Sequence, residues 1–363
     1  MILPRLLGFL SFWRRAHWGE WRLAARVTVA GLLAYAVAEA FRLPQSFWAV
    51  LTALLVTQAS IGASIKAMTD RLMGTISGAV WGVLVSLLVP HPDAIGMGWA
   101  LVVTILPLSL ISAVSPAYRI APVTAIILLL ASTGQHMGPL EAALDRVLEI
   151  GVGCAIAMGV SLVVLPGRAH NLLAEAAREY LGSIADQLVL LLQGVSEPRD
   201  EAAISLSNQR IRRNLAVAEA VAVEATRERS SHLTGAPDPE PFVRMLRRLR
   251  HDLVLLARAT AVQIPAAVAD RIALPVTNVT AAMAEFLRAA GVALVNRQSS
   301  PSVEPIRAAM SAHEAAMASL RADGITRPLS DGSVGQLFAL AFALEELASD
   351  LDDLGDNITA YCR

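Results

Sequence analysis

Apolar residues run almost unbroken through six stretches of the first half of the chain and recur at helical spacing between charges in the second. The six stretches fall at about 24–40, 47–61, 73–89, 95–114, 120–132 and 147–165. Crossing the hydrocarbon of a bilayer takes about 20 residues of helix, so the first, third, fourth and sixth read as full spans once flanking residues are added. The second and fifth are short, and they hold matching positions in the two triplets. Short spans at matched positions point to a transport site. Beyond Pro166-Gly167-Arg168 the pattern changes to alternating apolar and charged positions, as in 244–260 and 338–354. That spacing predicts amphipathic helices packed into a soluble bundle. Breaks at 194–198, 234–241, 299–301 and 324–332 divide it into five or six helices, and strand patterns are absent. The expected fold is all-α: an interfacial N-terminal anchor over 1–22, a six-span transmembrane domain over 23–167, and a cytoplasmic helical domain over 168–363.

The second triplet carries a faint copy of the first. With 50–90 set above 122–166, Thr52-Ala53 falls on Thr124-Ala125 and Asp70-Arg71 on Asp145-Arg146. Small residues every fourth position follow each Asp-Arg: Gly74, Gly78 and Gly82 in one, Gly151, Ala155 and Gly159 in the other. Each stretch closes on Leu-Val-Pro or Val-Leu-Pro. Three spans per copy would set the halves upside down, an inverted 3+3 repeat whose site lies at the repeat interface. Chance similarity between apolar helices is the competing reading. Small residues every four positions let helices approach closely in lipid, which predicts that the third and sixth spans pack on each other.

Charge orients the spans. Arg5, Arg14, Arg15 and Arg22 precede the first; Lys66 and Arg71, then Arg119, then Arg168 mark alternate connections, while the others hold Arg42, the charge-poor 91–94 and Arg146. This bias places both termini in the cytoplasm. The opening residues lack a small-residue cleavage site, so a secretory signal is not expected. Trp13, Trp18 and Trp21 among arginines read as an interfacial helix. The net charge of −1 comes with no basic stripe interleaved with aromatics, so nucleic acid is not an expected partner. Two cysteines, Cys154 and Cys362, make no disulfide framework. Metal-ligand spacing, a nucleophile–base pattern and a Gly-rich phosphate loop are all missing, so neither metal, cofactor, enzymatic activity nor ATP hydrolysis is expected.

Ionisable residues at membrane depth are the functional candidates. Arg26 either snorkels to the headgroups or lines a pathway. Arg71 and Arg146 each follow an Asp that reads as the N-cap of a helix. They either pair with Asp70 and Asp145 or with headgroups, or each helps a helix N-terminus to hold an anion, one at each mouth of the inverted pair. Glu149 is either the salt-bridge partner of Arg146 or a protonatable coupling residue. Thr52, Thr124, Gln58 and Trp48 offer donors and an aromatic face to a pore, or simply pack.

The run 43–82 resembles the membrane domain of the fusaric-acid-resistance-like, or aromatic acid exporter, family. The resemblance rests on Arg26 in the first span, Pro44 through Trp48-Ala49 leading into the second, and Arg71, Gly74-Thr75 and Gly78 opening the third. Arg146, Glu149-Ile150 and Gly153 are similar to the family's start of the sixth span. The plant aluminium-activated malate transporters look like distant relatives with six spans and a helical cytoplasmic region. The resemblance implies a transporter or channel exporting small organic anions, aromatic carboxylates included, in a bacterial inner membrane, and a homodimer. An anion leaving a cell that is negative inside gains about 2.3 kcal/mol per charge per 100 mV, so passive export is feasible. A membrane scaffold or sensor, whose cytoplasmic helices bind a partner, is the alternative.

Overall fold

Twelve α-helices and one 3₁₀ turn account for the regular structure among the described residues of the computed structural model, which are 18–90, 93–134, 138–195, 199–232, 235–261, 264–327 and 329–362. The helices are α1 Trp18–Ala40, α2 Phe47–Val56, α3 Ile61–Leu88, α4 Ala94–Val114, α5 Ala121–Gly134 and α6 Pro139–Val163, then α7 Ala169–Gln193, α8 Glu201–Ser230, α9 Pro239–Ala259, α10 Ala266–Asn296, α11 Glu304–Ala322 and α12 Asp331–Cys362. The chain divides into two units, Met1–Arg168 and Ala169–Arg363. Most of the N-terminal anchor, with Arg5, Trp13, Arg14 and Arg15, lies outside the described residues. From Trp18 the helix runs through Arg22 into the first span without a break.

In the first unit α1, α3, α4 and α6 are long and apolar enough to cross a membrane, and α2 and α5 are short. Leu32, Leu33 and Tyr35 of α1, Val80, Leu84 and Leu87 of α3, and Ile95, Trp99 and Leu110 of α4 are exposed. Apolar surface on this scale is what lipid covers, and helices satisfy their own backbone groups there. The chain is a multi-pass membrane protein. Inward faces are made of small residues. Ala30, Ala34 and Ala38 of α1 are buried one turn apart, as are Ala100, Thr104 and Leu108 of α4.

Corresponding helices of the two triplets bury corresponding positions. Ala49, Thr52, Ala53 and Val56 of α2 are matched one for one by Ala121, Thr124, Ala125 and Leu128 of α5. Along α3, Arg71, Gly74, Thr75, Gly78, Ala79 and Gly82 are buried. Along α6 the same spacing gives Arg146, Glu149, Ile150, Gly153, Cys154 and Ala157. Packing follows the same correspondence: α2 lies on α6 and α5 on α3, α1 touches α2 and α6, and α4 touches α5 and α3.

Two expectations change here. The third and sixth spans do pack on each other, but the glycine ladder of α3 faces α5 and the turn before it. A Cβ on Gly74 would meet Ile120 Cβ at 3.2 Å, and one on Gly82 would meet Ala125 Cα at 3.0 Å. In α6 the contact glycine is Gly153, while Gly151 and Gly159 have nothing within 4 Å. The ladder 151, 155, 159 was therefore out of register by two residues.

The helix starts also differ. α3 begins at Ile61, capped by Ser60, whose Oγ accepts the Ala63 N–H at 3.0 Å. α6 begins at Pro139 after Gly138. Asp70 and Asp145 thus lie well inside their helices and cap nothing. Polar residues in the first turns, Ser64, Lys66 and Thr69 in α3 and Glu141 in α6, lower the hydropathy without breaking the helix.

The second unit buries aliphatic stripes from all six helices. α7 packs along α8 and α10, and α9 along α12. Leu181, Ile184, Leu188, Leu246, Leu344 and Leu351 are fully buried, and Tyr180 donates its hydroxyl to the Leu246 carbonyl at 2.7 Å. Within α10, Val268–Asn296 is long and apolar enough for a span by composition. Its apolar stripe, including Ile272, Val279, Met283 and Leu287, is buried in this unit's core. α9 ends at Ala259 and α10 begins at Ala266, a division for which the sequence offered only Pro265 as punctuation.

Candidate functional site

A cluster of charge lies inside the first unit, where α2, α3 and α6 meet. Arg71, Arg146 and Glu149 are 8%, 4% and 1% exposed. Arg146 and Glu149 stand on one face of α6, one turn apart, with Arg146 Nη1 3.9 Å from Glu149 Oε2. The Arg146 guanidinium lies over the Trp48 ring, 3.8 Å from its centroid, a cation–π contact. Trp48 is held in turn by a 3.0 Å hydrogen bond from Nε1 to Gln45 Oε1. Glu149 Oε1 accepts the Gln45 backbone N–H at 2.7 Å, at the head of α2. The carboxylate thus occupies the end of α2 where the helix dipole favours an anion.

One turn further along α2, Arg71 Nη2 donates to Thr52 Oγ1 at 3.4 Å. Cys154 lies near Arg71, and Arg71 and Arg146 are close enough for their charges to repel. The two arginines therefore share one site beside α2 and do not mark opposite mouths of a pathway. Nor does either sit at a helix start. The expectation failed because it took the Asp-Arg pairs as helix beginnings.

The charges do not balance. Two buried guanidinium groups face one buried carboxylate, and Arg71 Nε and Arg146 Nη1 make no hydrogen bond. Thr75 Oγ1, one turn beyond Arg71 on α3, is likewise buried with no hydrogen-bond partner. Leaving buried charge uncompensated is costly, and donors so placed are chemically able to give charge-assisted hydrogen bonds to an anion.

The remaining candidates lie apart. Asp70 pairs with Lys66, one turn away at the surface of α3. Asp145 is partly exposed, near enough to Glu149 for the two carboxylates to repel. Thr124 is buried against Gly78, a packing position. Gln58 turns back on its own chain, donating to the Leu55 carbonyl at 2.7 Å. Arg26 is buried in another place, where Nη2 donates to the Ala59 carbonyl at 2.8 Å beside Gly167. Ile61 N–H donates to the Gly167 carbonyl at 3.0 Å, and Arg22 holds the Pro166 carbonyl at 2.6 Å. Arg22 and Arg26 thus tie α1 to the turn before α3 and to the segment after α6. Gln45, Thr75 and Cys154 were not named as site candidates from the sequence, although Thr75 stands in the Arg71, Gly74-Thr75, Gly78 motif and Gln45 lies between Pro44 and Trp48.

A comparison with protein families bears on this unit. Residues 33–160 match the family model described as fusaric acid resistance protein-like. A stretch of 203 residues is 28% identical to the uncharacterized protein YhfK of Escherichia coli (strain K12), covering 54% of this chain and 27% of that protein. A stretch of 74 residues is 34% identical to the uncharacterized transporter YdhK of the same organism, covering 20% of this chain and 11% of that protein. The YdhK of Salmonella typhimurium is 31% identical over 74 residues. The chain spans about a quarter of the length of YhfK and about a tenth of that of YdhK. The matched residues 33–160 hold Arg71, Arg146 and Glu149, so the cluster lies within the part of the chain that is similar to the fusaric acid resistance protein-like family.

Proposed function

We propose that this chain is a membrane transporter or channel for small organic carboxylates, aromatic ones included, and that the anion passes the Arg71–Arg146 cluster. One observation carries the reading: a buried site with two guanidinium groups, one carboxylate and donors that no protein acceptor fills. A monocarboxylate there would neutralise the excess charge and receive charge-assisted hydrogen bonds. Trp48 adds an aromatic face beside Arg146 that suits a planar substrate.

The matched burial and packing of the two helix triplets support an inverted 3+3 repeat, with three helices in each half. The site then lies at the interface of the halves, beside the head of a short helix. Arg71 lies ten residues into α3, about 15 Å from its start, which suits a site within the hydrocarbon layer. Both termini and the second unit belong to the cytoplasm on the charge bias of the loops, in a bacterial inner membrane, and the chain works as a homodimer. The transporter name of YdhK fits the same reading.

Reconstitution of the full chain in liposomes tests it. Labelled 4-hydroxybenzoate or malate should exchange across the membrane, faster with a potential that draws anions, and protein-free liposomes should not conduct. Absence of any carboxylate flux would sink the reading.

A further inference from the structure

Glu149 breaks the correspondence between the two helix triplets at one informative place. Its counterpart on α3 is Gly74, which closes directly on the chain before α5: a Cβ there would meet Ala117 O at 3.3 Å and Ile120 Cβ at 3.2 Å. Ala117 and Ile120 correspond to Gln45 and Trp48 at the head of α2. One half is therefore shut by backbone contact where the other admits a carboxylate, bound to Gln45 N–H at 2.7 Å. That carboxylate sits where the arginine, the aromatic ring and the helix head would receive a substrate anion. It also holds Arg146 imperfectly, at 3.9 Å with no hydrogen bond.

We propose that Glu149 is a built-in occupant of the anion seat, and that its protonation releases the seat to a carboxylate substrate, so that anion movement depends on a proton. The inference rests on the transport reading above. A proton from the aqueous phase bonds to a Glu149 oxygen, and no other covalent bond changes. The cluster of Arg71, Arg146 and Glu149 then goes from one net positive charge to two, and one entering monocarboxylate restores the original value. When the anion leaves, Glu149 gives the proton back to water and returns to Arg146 and Gln45 N–H.

The other groups around Glu149 fit this exchange. Its own helix brings Arg146 and Asp145, and α3 contributes Arg71 through Arg146. From α2 come the Gln45 amide and Trp48, and α5 has no titratable side chain along Ala121–Gly134. On α1, Glu39 accepts from Ser46 Oγ at 3.1 Å at the exposed rim. Of the two carboxylates on α6 nearest the arginines, Glu149 is buried and bound to the Gln45 N–H, while Asp145 is partly exposed.

The test uses the full chain in proteoliposomes, with labelled 4-hydroxybenzoate, a monocarboxylate, and with chloride, which cannot itself take up a proton in this range. Wild-type flux of both should rise from pH 7.5 to pH 5.5, by up to about tenfold per pH unit above the titration point. Glu149→Gln, a neutral side chain of the same shape, should conduct at pH 7.5 at the wild-type low-pH rate and lose the pH dependence. Glu149→Asp should keep it. A flat wild-type profile for chloride, or a Glu149→Gln protein that keeps the wild-type profile, overturns the proposal while leaving transport intact. No flux of any anion at either pH brings down the transport reading instead. If Glu149→Gln does not accumulate, the wild-type and Glu149→Asp profiles decide alone.

Discussion

Gly153 of α6 packs on Thr52 of α2 so closely that a Cβ on the glycine would stand 2.8 Å from the Thr52 Cβ and 2.5 Å from the Ala49 carbonyl oxygen. Gly78 of α3 does the same to Thr124 of α5, at 2.9 Å, and closes on the Ala121 carbonyl. Both contacts need a residue with no side chain, because the obstacle is backbone. Gly153→Ala and Gly78→Ala should each cost about 1–3 kcal/mol through overpacking. Gly151→Ala and Gly159→Ala, with open space around them, should be neutral. Thermal denaturation in detergent, followed by the loss of soluble monodisperse protein, distinguishes the two pairs.

These contacts mark how far the sequence could be read. Thr52-Ala53 and Thr124-Ala125 correspond and are buried, and the helices that carry them are short. The correspondence is legible because small and polar residues are conspicuous in an apolar background. The glycine register was misread because small residues every fourth position also occur on a face that meets nothing, as Gly151 and Gly159 do. Arg71, Arg146, Glu149, Trp48 and Thr52 were legible as candidates, but their convergence was not. Hydropathy placed helix starts at Asp70 and Asp145 because the preceding turns are polar, and so put the arginines at helix ends. Only the continuous helices from Ile61 and Pro139 bring them together.

Arg26 and Gly167 form a brace whose failure should be structural. A Cβ on Gly167 would come within 3.0 Å of Arg26 Nη1 and would run into the Ala59 carbonyl. Gly167→Ala should therefore lower the yield of folded protein, and Arg26→Gln should do likewise by giving up the 2.8 Å bond to Ala59. Size-exclusion profiles in detergent check this. A Gly167→Ala protein that is fully folded and as stable as wild type would contradict the brace.

In the second unit, Asp252 of α9 and Asp350 of α12 are buried side by side. Burial, with Asp350 next to it, pushes the Asp252 carboxyl up to about 8, so at neutral pH it keeps its proton and shares it with Asp350. Arg248 holds Asp350, with Nε 3.1 Å from Oδ2. The folded state therefore keeps a proton that the unfolded chain releases near pH 4. Stability contributed by the neutral form is complete below that value, falls as pH rises, and is lost by about pH 8. Hydrogen exchange in the full chain should show α9 and α12 opening more readily at pH 8.5 than at pH 6.5, after correction for intrinsic rates. Asp252→Asn, which has no charge to gain, should remove the difference.

His170 stacks on Tyr361 with ring centroids 4.1 Å apart. Burial, then the Arg297 charge, lowers its pKa to about 4. The unfolded imidazole titrates near 6.5, so its stabilising share is present above that pH and is lost as pH falls toward about 4. His170→Phe keeps the stack and should make the second unit less sensitive to acid, measured by exchange of amides in α7 and α12 between pH 6.5 and pH 4.5.

The account turns on the two buried arginines as the place where an anion passes. The most direct measurement is carboxylate flux through Arg71→Gln and Arg146→Gln proteins, reconstituted at equal density under one imposed potential, beside wild type and Asp70→Asn. Removing a charge-assisted contact worth about 1.5–3 kcal/mol should cut flux by about tenfold or more in each arginine variant. Asp70→Asn, which alters only the surface pair with Lys66, should conduct as wild type does. Folded Arg71→Gln and Arg146→Gln proteins that both carry 4-hydroxybenzoate and malate at the wild-type rate would contradict the account.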